Sequence, residues 1–434
     1  MNKEIKNIKK YSEFKMIDHL KHLFPLCRSI TGNGIRASLR YFEKYHSEYK
    51  RLKFKTGEKI FDWEVPEEWD IKDAYLEHVE TKQKFAEFKK NNLHVVNYSA
   101  PINELINLKD FSHKIYSLKK HPDWIPYVTS YYKKDWGFCL EESTKRIMPN
   151  GLYKVFINSS FKCGKLELSH ALIRGKKKKE ILFSTYLCHP SMANNELSGP
   201  VLINKILEYL KENYKTRNYS YRFIMQPETI GSIAYLSKYY KGLKNNIICG
   251  FNLSCVGDNR NYSYIHTPDE DTLADYAISS ALIGLPNIKE FKFLDRGSDE
   301  RQYCSPNINL PICTFSRTKF GEYPEYHTSA DNLNIVSQEG LEGSFEVFKN
   351  IIDAIETTLY PKAKIPCEPQ LGKRNLYPNL SNMNSSEINE VKLRMDFLAY
   401  CNGKRSIFEI CKIIKYNLKD VLNEAKLLKN NNLI

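Results

Sequence analysis

The sequence predicts an α/β protein in which helices cover both faces of a mixed sheet, in a three-layer αβα arrangement. Three observations support this prediction. Runs typical of strands and helices alternate between residues 166 and 360, short aromatic and β-branched runs fill residues 60–165, and three short helical patterns occupy residues 390–434. The sequence therefore also predicts an inserted β-rich domain and a C-terminal module of the winged-helix type.

The alternating region consists of four strand-then-helix pairs. Each strand is a short apolar run, and each helix is an amphipathic pattern with a period near 3.6 residues. Such alternation predicts a parallel or mixed sheet with both faces covered. The strands are EILFSTYL (180–187), YSYRFIMQP (219–227), NIICGFNLSCVG (246–257) and PICTFSRT (311–318), and the helices begin near residues 199, 229, 271 and 337.

Changes in sequence character give the expected domain boundaries. Residues 1–59 and 166–362 form one discontinuous α/β domain, because helical patterns precede residue 60 and the alternation resumes near residue 166. Residues 60–165 are the β-rich insertion. Residues 363–389 form a Pro-rich linker without periodicity, and residues 390–434 form the winged-helix-like domain.

Composition limits the classes of protein to consider. The 434 residues include 42% hydrophobic residues, enough to bury a core, and no apolar run is long enough to span a bilayer. Eleven cysteines without a CxxC pair, and a start without a signal peptide, indicate reduced thiols in the cytoplasm. The net charge of +14 comes mainly from scattered Lys, which argues against nucleic acid as the main partner and leaves a homo-oligomer open.

His and carboxylate side chains follow four of the predicted strands. Because ligands bind at the carboxyl ends of strands in open α/β sheets, we expect these side chains to meet. Zinc takes His nitrogen and carboxylate oxygen, and a catalytic site leaves a position open for water. The candidate metal ligands and proton acceptor are His189, Glu196, Glu228, Asp258 and His327.

Each of these residues also has a purely structural explanation. Glu196 can favour the dipole of the helix that follows it, and Asp258 in VGDNRN can be a turn residue. His189 and His327 can be satisfied by hydrogen bonds within the core or a loop. Only their joint placement at strand ends indicates a metal site.

The sequence resembles the zinc-dependent aminopeptidase-like proteins. It is most similar to a bacterial subfamily, often encoded in surface-polysaccharide clusters, with an inserted β-rich domain and a C-terminal winged helix. The blocks that carry the resemblance span nearly the whole chain and are LCRSITGNGIR, VPEEWDIKDAY, YYKKDWGFCL, CHPSMANNELSGP, PETIGSIAYL, GSDERQY and YPEYHTSADN.

The resemblance implies one or two zinc ions and assigns roles to particular residues. His189 and His327 match the family's metal-binding His residues. Asn195 stands where the family has a bridging Asp, so the adjacent Glu196 would replace it or the site holds one ion. Glu228 remains from a Glu-Glu element as the catalytic proton acceptor, and Asp258 substitutes for a carboxylate four residues earlier.

Further polar residues are candidates for binding the substrate. Arg28 and Arg36 form an anion-binding group, and Asp299 and Glu300 can receive an amino terminus. Tyr326, beside His327, completes this set. In the insertion, Tyr132 and Trp136 can stack on a sugar or a peptide, although packing in the core is the alternative for Trp136.

These residues predict a metal-dependent hydrolase of amide bonds that uses zinc-activated water. The substrate is a peptide amino terminus or an acylated amino sugar, and the resemblance to a polysaccharide-linked subfamily keeps both open. A DNA-binding or protein-binding regulator with a vestigial peptidase domain is the alternative from another class. For that alternative, Asp420 and Glu424 on the last helix would repel phosphates. A scaffold with a purely structural zinc ion is a third hypothesis.

Overall fold

The computed structural model describes residues 10–377 and 386–434, and for residues 386–388 it describes the backbone alone. In these residues sixteen strands and twelve α-helices follow one another along the chain. The strands are β1 (Lys50–Lys55), β2 (Lys59–Ile60), β3 (Trp63–Glu64), β4 (Glu68–His78), β5 (Lys84–Phe85), β6 (Ile102–Asn107), β7 (Ile115–Tyr116), β8 (Phe138–Cys139), β9 (Leu152–Lys162), β10 (Lys165–Ile173), β11 (Glu180–Tyr186), β12 (Ser220–Gln226), β13 (Ile247–Leu253), β14 (Tyr262–Ile265), β15 (Ile288–Phe291) and β16 (Ile312–Ser316).

The helices vary from a single turn to six turns. The long ones are amphipathic or buried on most sides, as the sequence predicts. They are α1 (Met16–Leu23), α2 (Asn33–Glu43), α3 (Leu108–Phe111), α4 (Glu142–Arg146), α5 (Ser198–Asn213), α6 (Ile230–Asn246), α7 (Leu273–Leu282), α8 (Glu300–Tyr303), α9 (Gln338–Thr358), α10 (Ser386–Tyr400), α11 (Ile407–Ile414) and α12 (Leu418–Asn430).

An eight-stranded mixed sheet organises the main domain. Its strand order is β1-β10-β12-β11-β13-β16-β14-β15, and the four central strands β12, β11, β13 and β16 run parallel. Alternate residues of β11 enter different apolar clusters: Phe183 packs on the side of α5 and α9, and Leu182 packs on the side of α6. The sheet is therefore covered on both faces, and the predicted three-layer α/β class is confirmed.

A second sheet is built from the chain between β1 and β10. It has the order β5-β4-β9-β6, is antiparallel throughout, and has its own apolar cluster that includes Leu76, Phe85 and Val155. This architecture comes from long alternating strands, since β4 and β9 have eleven residues each. The boundaries at residues 60 and 165 stay a prediction.

The C-terminal helices pack directly on the main domain. Helix α11 contacts α7, and α12 contacts α9, within one continuous apolar cluster that includes Phe408 and Leu422. The backbone N–H of Ile407 donates to the carbonyl of Leu359 (2.9 Å), which links α11 to the end of α9. The winged-helix module predicted at this end of the chain is confirmed.

The parallel strands bring their carboxyl ends to one edge of the main sheet, where polar loops meet. A short π-helical turn, Ala193–Leu197, lies between β11 and α5 at this edge and is fully buried. π-Helical turns often mark functional sites. Within the described ranges, the helices are all too short or too polar to cross a membrane.

Candidate active site at the strand ends

His189 follows β11 directly and is held in one orientation. Its Nδ1 lies 2.6 Å from Oε2 of Glu196, and the other oxygen of Glu196 accepts a hydrogen bond from the backbone N–H of Cys188. The guanidinium of Arg28 donates from Nε to the carbonyl of His189 (2.9 Å). These contacts leave Nε2 as the ring nitrogen available for a ligand, which is how a carboxylate orients a metal-binding His.

The charges around His189 favour its protonated form when no cation is present. Burial alone would lower the pKa of His189, but the neighbouring Cys188 and Glu196 outweigh burial and raise it well above its ordinary value. Burial raises the pKa of the Cys188 thiol to about 11. A bound cation would compete with the proton for His189.

Glu228 follows β12 and faces His189. Its Oε2 lies 3.7 Å from Nε2 of His189, and its Oε1 accepts a hydrogen bond from the hydroxyl of Ser298 (2.8 Å). Burial raises the pKa of Glu228 to about 7, although the positive charge of His189 acts in the opposite direction. A carboxylate with a pKa near neutrality is suited to accept a proton from water at physiological pH.

His327 lies across the site on the loop after β16. Its ring centroid is 5.2 Å from that of His189, and its Nε2 is buried with no hydrogen-bond partner among the described residues. Tyr326 stacks on the ring at 3.9 Å, and Tyr127 from the inserted segment contacts both His rings, at 4.9 Å and 5.1 Å. Burial lowers the pKa of His327 to about 3, so this imidazole is neutral and can bind a metal.

Asn195 lies in the π-helical turn beside these residues. Its Nδ2 donates to the hydroxyl of Tyr186 (2.6 Å), while its Oδ1 is buried without a hydrogen-bond partner in the described part of the chain. The carboxylate of Asp331 holds the turn by accepting the backbone N–H groups of Ala193, Asn194 and Asn195 at 2.6–3.1 Å. A buried amide oxygen without a hydrogen bond is energetically unfavourable in a protein core, but it can serve as a neutral metal ligand.

The structure does not bring Asp258 to this group. Both of its carboxylate oxygens are occupied: they accept hydrogen bonds from Asn194 (3.0 Å), from the backbone N–H and hydroxyl of Thr318 (3.0 and 2.7 Å), and from the N–H of Arg260 (3.0 Å). β13 ends at Leu253, and the chain beyond it places Asp258 between two loops. These contacts give Asp258 a structural role, at the turn of the chain.

The two Arg residues expected to bind an anion mostly have other partners, although Nη2 of Arg28 is buried without a hydrogen-bond partner among the described residues. Arg28 is fully buried behind His189, and its Nη1 donates to the carbonyl of Leu23 (2.7 Å). Arg36 forms ion pairs with Glu68 (2.7 Å) and Glu167 (3.7 Å). The guanidinium of Arg36 is thus already neutralised, which leaves no strong attraction for a substrate anion.

The two acidic residues expected at an amino-terminus site are also buried. Asp299 accepts hydrogen bonds from the N–H of Thr229 (2.7 Å) and from Ser232 (2.9 Å), and burial raises its pKa to about 6. Glu300 accepts from two backbone N–H groups and from Asn252 and Thr314. Both support the loop that holds Ser298 against Glu228, while Tyr326 lies directly on His327.

Distances decide which nitrogen of His189 a metal ion would use. Neighbouring ligand atoms on a tetrahedral zinc ion with bonds of about 2.0–2.2 Å lie about 3.3 Å apart. The 2.6 Å between Nδ1 of His189 and Glu196 is too short for an ion to lie between them, whereas the 3.7 Å between Nε2 and Glu228 is compatible with one. These distances favour Nε2 of His189 as the ligand atom, with Glu228 beside it, and the unpartnered atoms of His327 and Asn195 are the further candidates for ligands.

Cys188 is a residue that the sequence analysis missed. Among the described residues, its Sγ joins Nδ1 of His189 and a carboxylate oxygen of Glu196 in a group of possible ligand atoms within 4.8 Å of one another. The backbone N–H of Glu228 donates to this sulfur (3.3 Å). The sequence offered one indication that Cys188 belongs to the site, namely that it is adjacent to His189.

A cavity of about 260 Å³ opens beside His189 and Glu228. Part of its wall comes from outside the main sheet and includes Tyr132, which the sequence analysis expects to reach a substrate from the inserted domain. Trp136 instead packs against Phe111 and Phe138. Aromatic residues that line the cavity are Trp63, Tyr131 and Tyr132.

Comparison with known proteins shows the family to which the chain belongs. Residues 17–358 match a family described as a domain of unknown function (DUF4910), and residues 359–434 match a winged helix-turn-helix family. A protein of Clostridium acetobutylicum is 39% identical over 421 residues, which are 94% of this chain and 95% of the relative. Its name describes a candidate polysaccharide biosynthesis protein with an aminopeptidase-like domain.

Comparison with solved structures agrees with this family assignment. A crystal structure of a candidate peptidase from Clostridium acetobutylicum aligns with a TM-score of 0.87 and 36% identity, over 98% of this chain and 96% of that one. A zinc aminopeptidase from Bacillus subtilis shares the fold, with a TM-score of 0.56 and 14% identity over 79% and 94% of the two chains. The chain therefore belongs to the DUF4910 family, and it joins an aminopeptidase-like α/β domain to a C-terminal winged helix.

Proposed function

We propose that this protein is a metal-dependent amide hydrolase of the aminopeptidase-like type with a single zinc ion. The proposal rests on two observations: Nε2 of His189 lies 3.7 Å from the carboxylate of Glu228, and the ring of His327, whose buried Nε2 has no partner among the described residues, lies 5.2 Å from the ring of His189 between centroids. A divalent cation held there would supply Lewis acidity, which polarises a carbonyl group and makes water more acidic.

The chain's own residues would divide the remaining work. Glu228 accepts the proton of the attacking water and returns it to the leaving amine, for which a pKa near 7 is suited. Glu196 and Arg28 hold the ring and backbone of His189. Tyr326 and Tyr127 keep the ring of His327 in place and exclude water from its faces.

A peptide-like substrate with a free amino terminus agrees best with the charges of the site. Glu228 gives the cavity a carboxylate that an ammonium group can approach, and the guanidinium of the nearby Arg28 donates to the backbone carbonyls of His189 and Leu23. The polysaccharide link of the Clostridium acetobutylicum relative makes an amide formed during polysaccharide assembly the second substrate to test. A cytoplasmic location agrees with the eleven free cysteines.

Metal content measured on purified variants tests the proposal. We expect one zinc ion per chain in the wild type, and loss of zinc in His189→Ala and His327→Ala. Glu196→Ala should keep a site that binds zinc about 10–100-fold more weakly, because an orienting carboxylate is lost rather than a ligand. Asp258→Asn is the matched control and should retain zinc fully.

Two results would contradict this assignment. Two zinc ions per chain, of which one is lost in Glu196→Ala, would show a bridged pair of ions with Glu196 as the bridge. A wild-type protein that binds no zinc after the metal is added back would exclude the hydrolase.

A further inference from the structure

The cavity beside the candidate metal site is lined by two chemically different groups of residues. One group consists of His189, Glu228 and Cys188, at the strand ends of the main sheet. The other group is aromatic and consists of Trp63 in the β2–β3 hairpin and the pair Tyr131 and Tyr132. These three aromatic residues lie between β1 and β10 in the sequence, so the inserted segment forms part of the cavity wall.

Two of these aromatic residues are unusually exposed. Trp63 is 38% and Tyr132 is 52% exposed, and their rings meet edge to face with centroids 5.7 Å apart. Tyr132 has a φ of 62°, which is uncommon for a bulky side chain. Exposed aromatic surface at the mouth of a cavity indicates a binding surface, and the left-handed backbone indicates that the placement of Tyr132 is maintained against strain.

The remaining lining residues define what the cavity can hold. Ile30 and Ile230 add apolar wall, and no Lys or Arg is among the described residues that line it. Thr229 already accepts a hydrogen bond from Arg301 through its hydroxyl, and Glu228 accepts one from Ser298. An acidic side chain would find no Lys or Arg to pair with in this lining, and a hydroxyl-rich ring would leave several hydroxyls without partners.

We propose that Trp63 and Tyr132 form a selectivity wall, and that the cavity takes an uncharged apolar side chain of the residue next to the cleaved amide. This inference rests on the proposed hydrolase for the identity of the bond, but not for the binding of the side chain. The volume of about 260 Å³ lies just below the range of 300–1,000 Å³ that is usual for ligand pockets, which suits a single residue.

Calorimetric binding of small amides to the full chain with its metal tests the wall without requiring turnover. The ligands are alaninamide, leucinamide, phenylalaninamide, glutamate amide and glucosamine. We expect phenylalaninamide and leucinamide to bind best, and Trp63→Ala to weaken phenylalaninamide at least 10-fold while alaninamide changes less than 2-fold. Trp63→Phe should restore most of the affinity, because it retains an aromatic ring.

A neighbouring residue provides the control. Phe61 lies at the turn of the same hairpin, is 54% exposed, and contacts Tyr240 of α6 instead of the cavity. Phe61→Ala should therefore leave all affinities unchanged.

Three outcomes would overturn the selectivity wall. They are tighter binding of glucosamine than of phenylalaninamide, equal losses for alaninamide and phenylalaninamide in Trp63→Ala, and an equal effect of Phe61→Ala. Selective binding by a protein that hydrolyses no amide would support the selectivity wall and contradict the proposed hydrolase activity. The experiment therefore distinguishes failure of one proposal from failure of the other.

Discussion

At the scale of single residues, Glu228 combines the position of the proposed proton acceptor with an environment that disfavours its charge. Burial raises its pKa from 4.5 to about 7, so the folded protein without metal binds a proton more tightly than the unfolded chain does. The stability that comes from this proton is present below pH 4.5 and is lost as the pH rises through 7. Above pH 7 the ionised carboxylate destabilises the fold.

The substitution Glu228→Gln removes this destabilising charge together with the proton acceptor. We expect the metal-free variant to melt at a higher temperature than the wild type at pH 8, and at the same temperature at pH 4. The metal-loaded variant should lose about 10²–10⁴-fold in kcat, the usual contribution of a general base. Thermal melts at the two pH values and steady-state kinetics check these outcomes, and a lower melting temperature at pH 8 would contradict the assigned environment.

At the scale of elements, the sequence predicts the parallel strands and therefore the meeting of His189, Glu228 and His327. The carboxyl ends of parallel strands share one edge of the sheet, and this placement does not depend on the conformation of the loops. The sequence could not place Asp258, because the loop after β13 turns that carboxylate toward Thr318. Contacts of this kind depend on loop conformation, which leaves no periodic pattern in the sequence.

The contribution of the inserted segment was the hardest to predict. Tyr127 packs on both His rings, and Trp63 lines the cavity, although both residues are more than sixty positions from the nearer His in the chain. Their role arises because a loop and a hairpin of the inserted segment pack against the main domain: the backbone N–H of Tyr127 donates to the carbonyl of His327 (2.8 Å), and β2 contacts α6. An aromatic residue in a strand-rich segment is equally typical of a core. Only the structure separates Trp136, which is in the core, from Tyr132, which is at the cavity.

The docking of these elements depends on an ionic cluster around Glu68 in β4. Its carboxylate pairs with Arg36 of α2 (2.7 Å) and with Lys162 of β9 (3.2 Å), and Arg36 also reaches Glu167 of β10 (3.7 Å). Burial acts to raise the pKa of Glu68, but the hydrogen bonds and charges of Arg36 and Lys162 prevail and lower it to about 2. The cluster thus links the second sheet to the main domain.

We expect Glu68→Gln to lower the free energy of unfolding by about 1.5–3 kcal/mol at pH 7, because Arg36 loses its main charged hydrogen-bond partner but keeps Glu167 nearby. The lowered pKa means that this stabilisation is present above pH 4.5 and is lost as the pH falls toward 2. Urea unfolding at pH 7 and at pH 2.5 measures both differences. The control Glu64→Gln breaks an exposed pair with Lys59 and should change stability by less than about 1 kcal/mol.

At the scale of the whole molecule, the winged helix is part of the main core. Its helix α11 buries Ile407, Phe408, Ile410 and Cys411, in the same apolar cluster as residues of α7 and α9. Lys429 at the end of α12 donates to the carbonyl of Thr357 at the end of α9 (2.7 Å). A module held by this much shared apolar surface should unfold together with the sheet that it covers.

The substitution Phe408→Ala tests this coupling. Phe408 is fully buried, so its truncation should lower the free energy of unfolding by about 3–5 kcal/mol through lost burial and a residual cavity. The control Ile413→Ala, on the same helix but 42% exposed, should have a much smaller effect. If the core is shared, calorimetry shows one transition that moves as a whole to lower temperature. A second transition at lower temperature, with the main one unmoved, would show instead that the winged helix unfolds independently and is attached only by its linker.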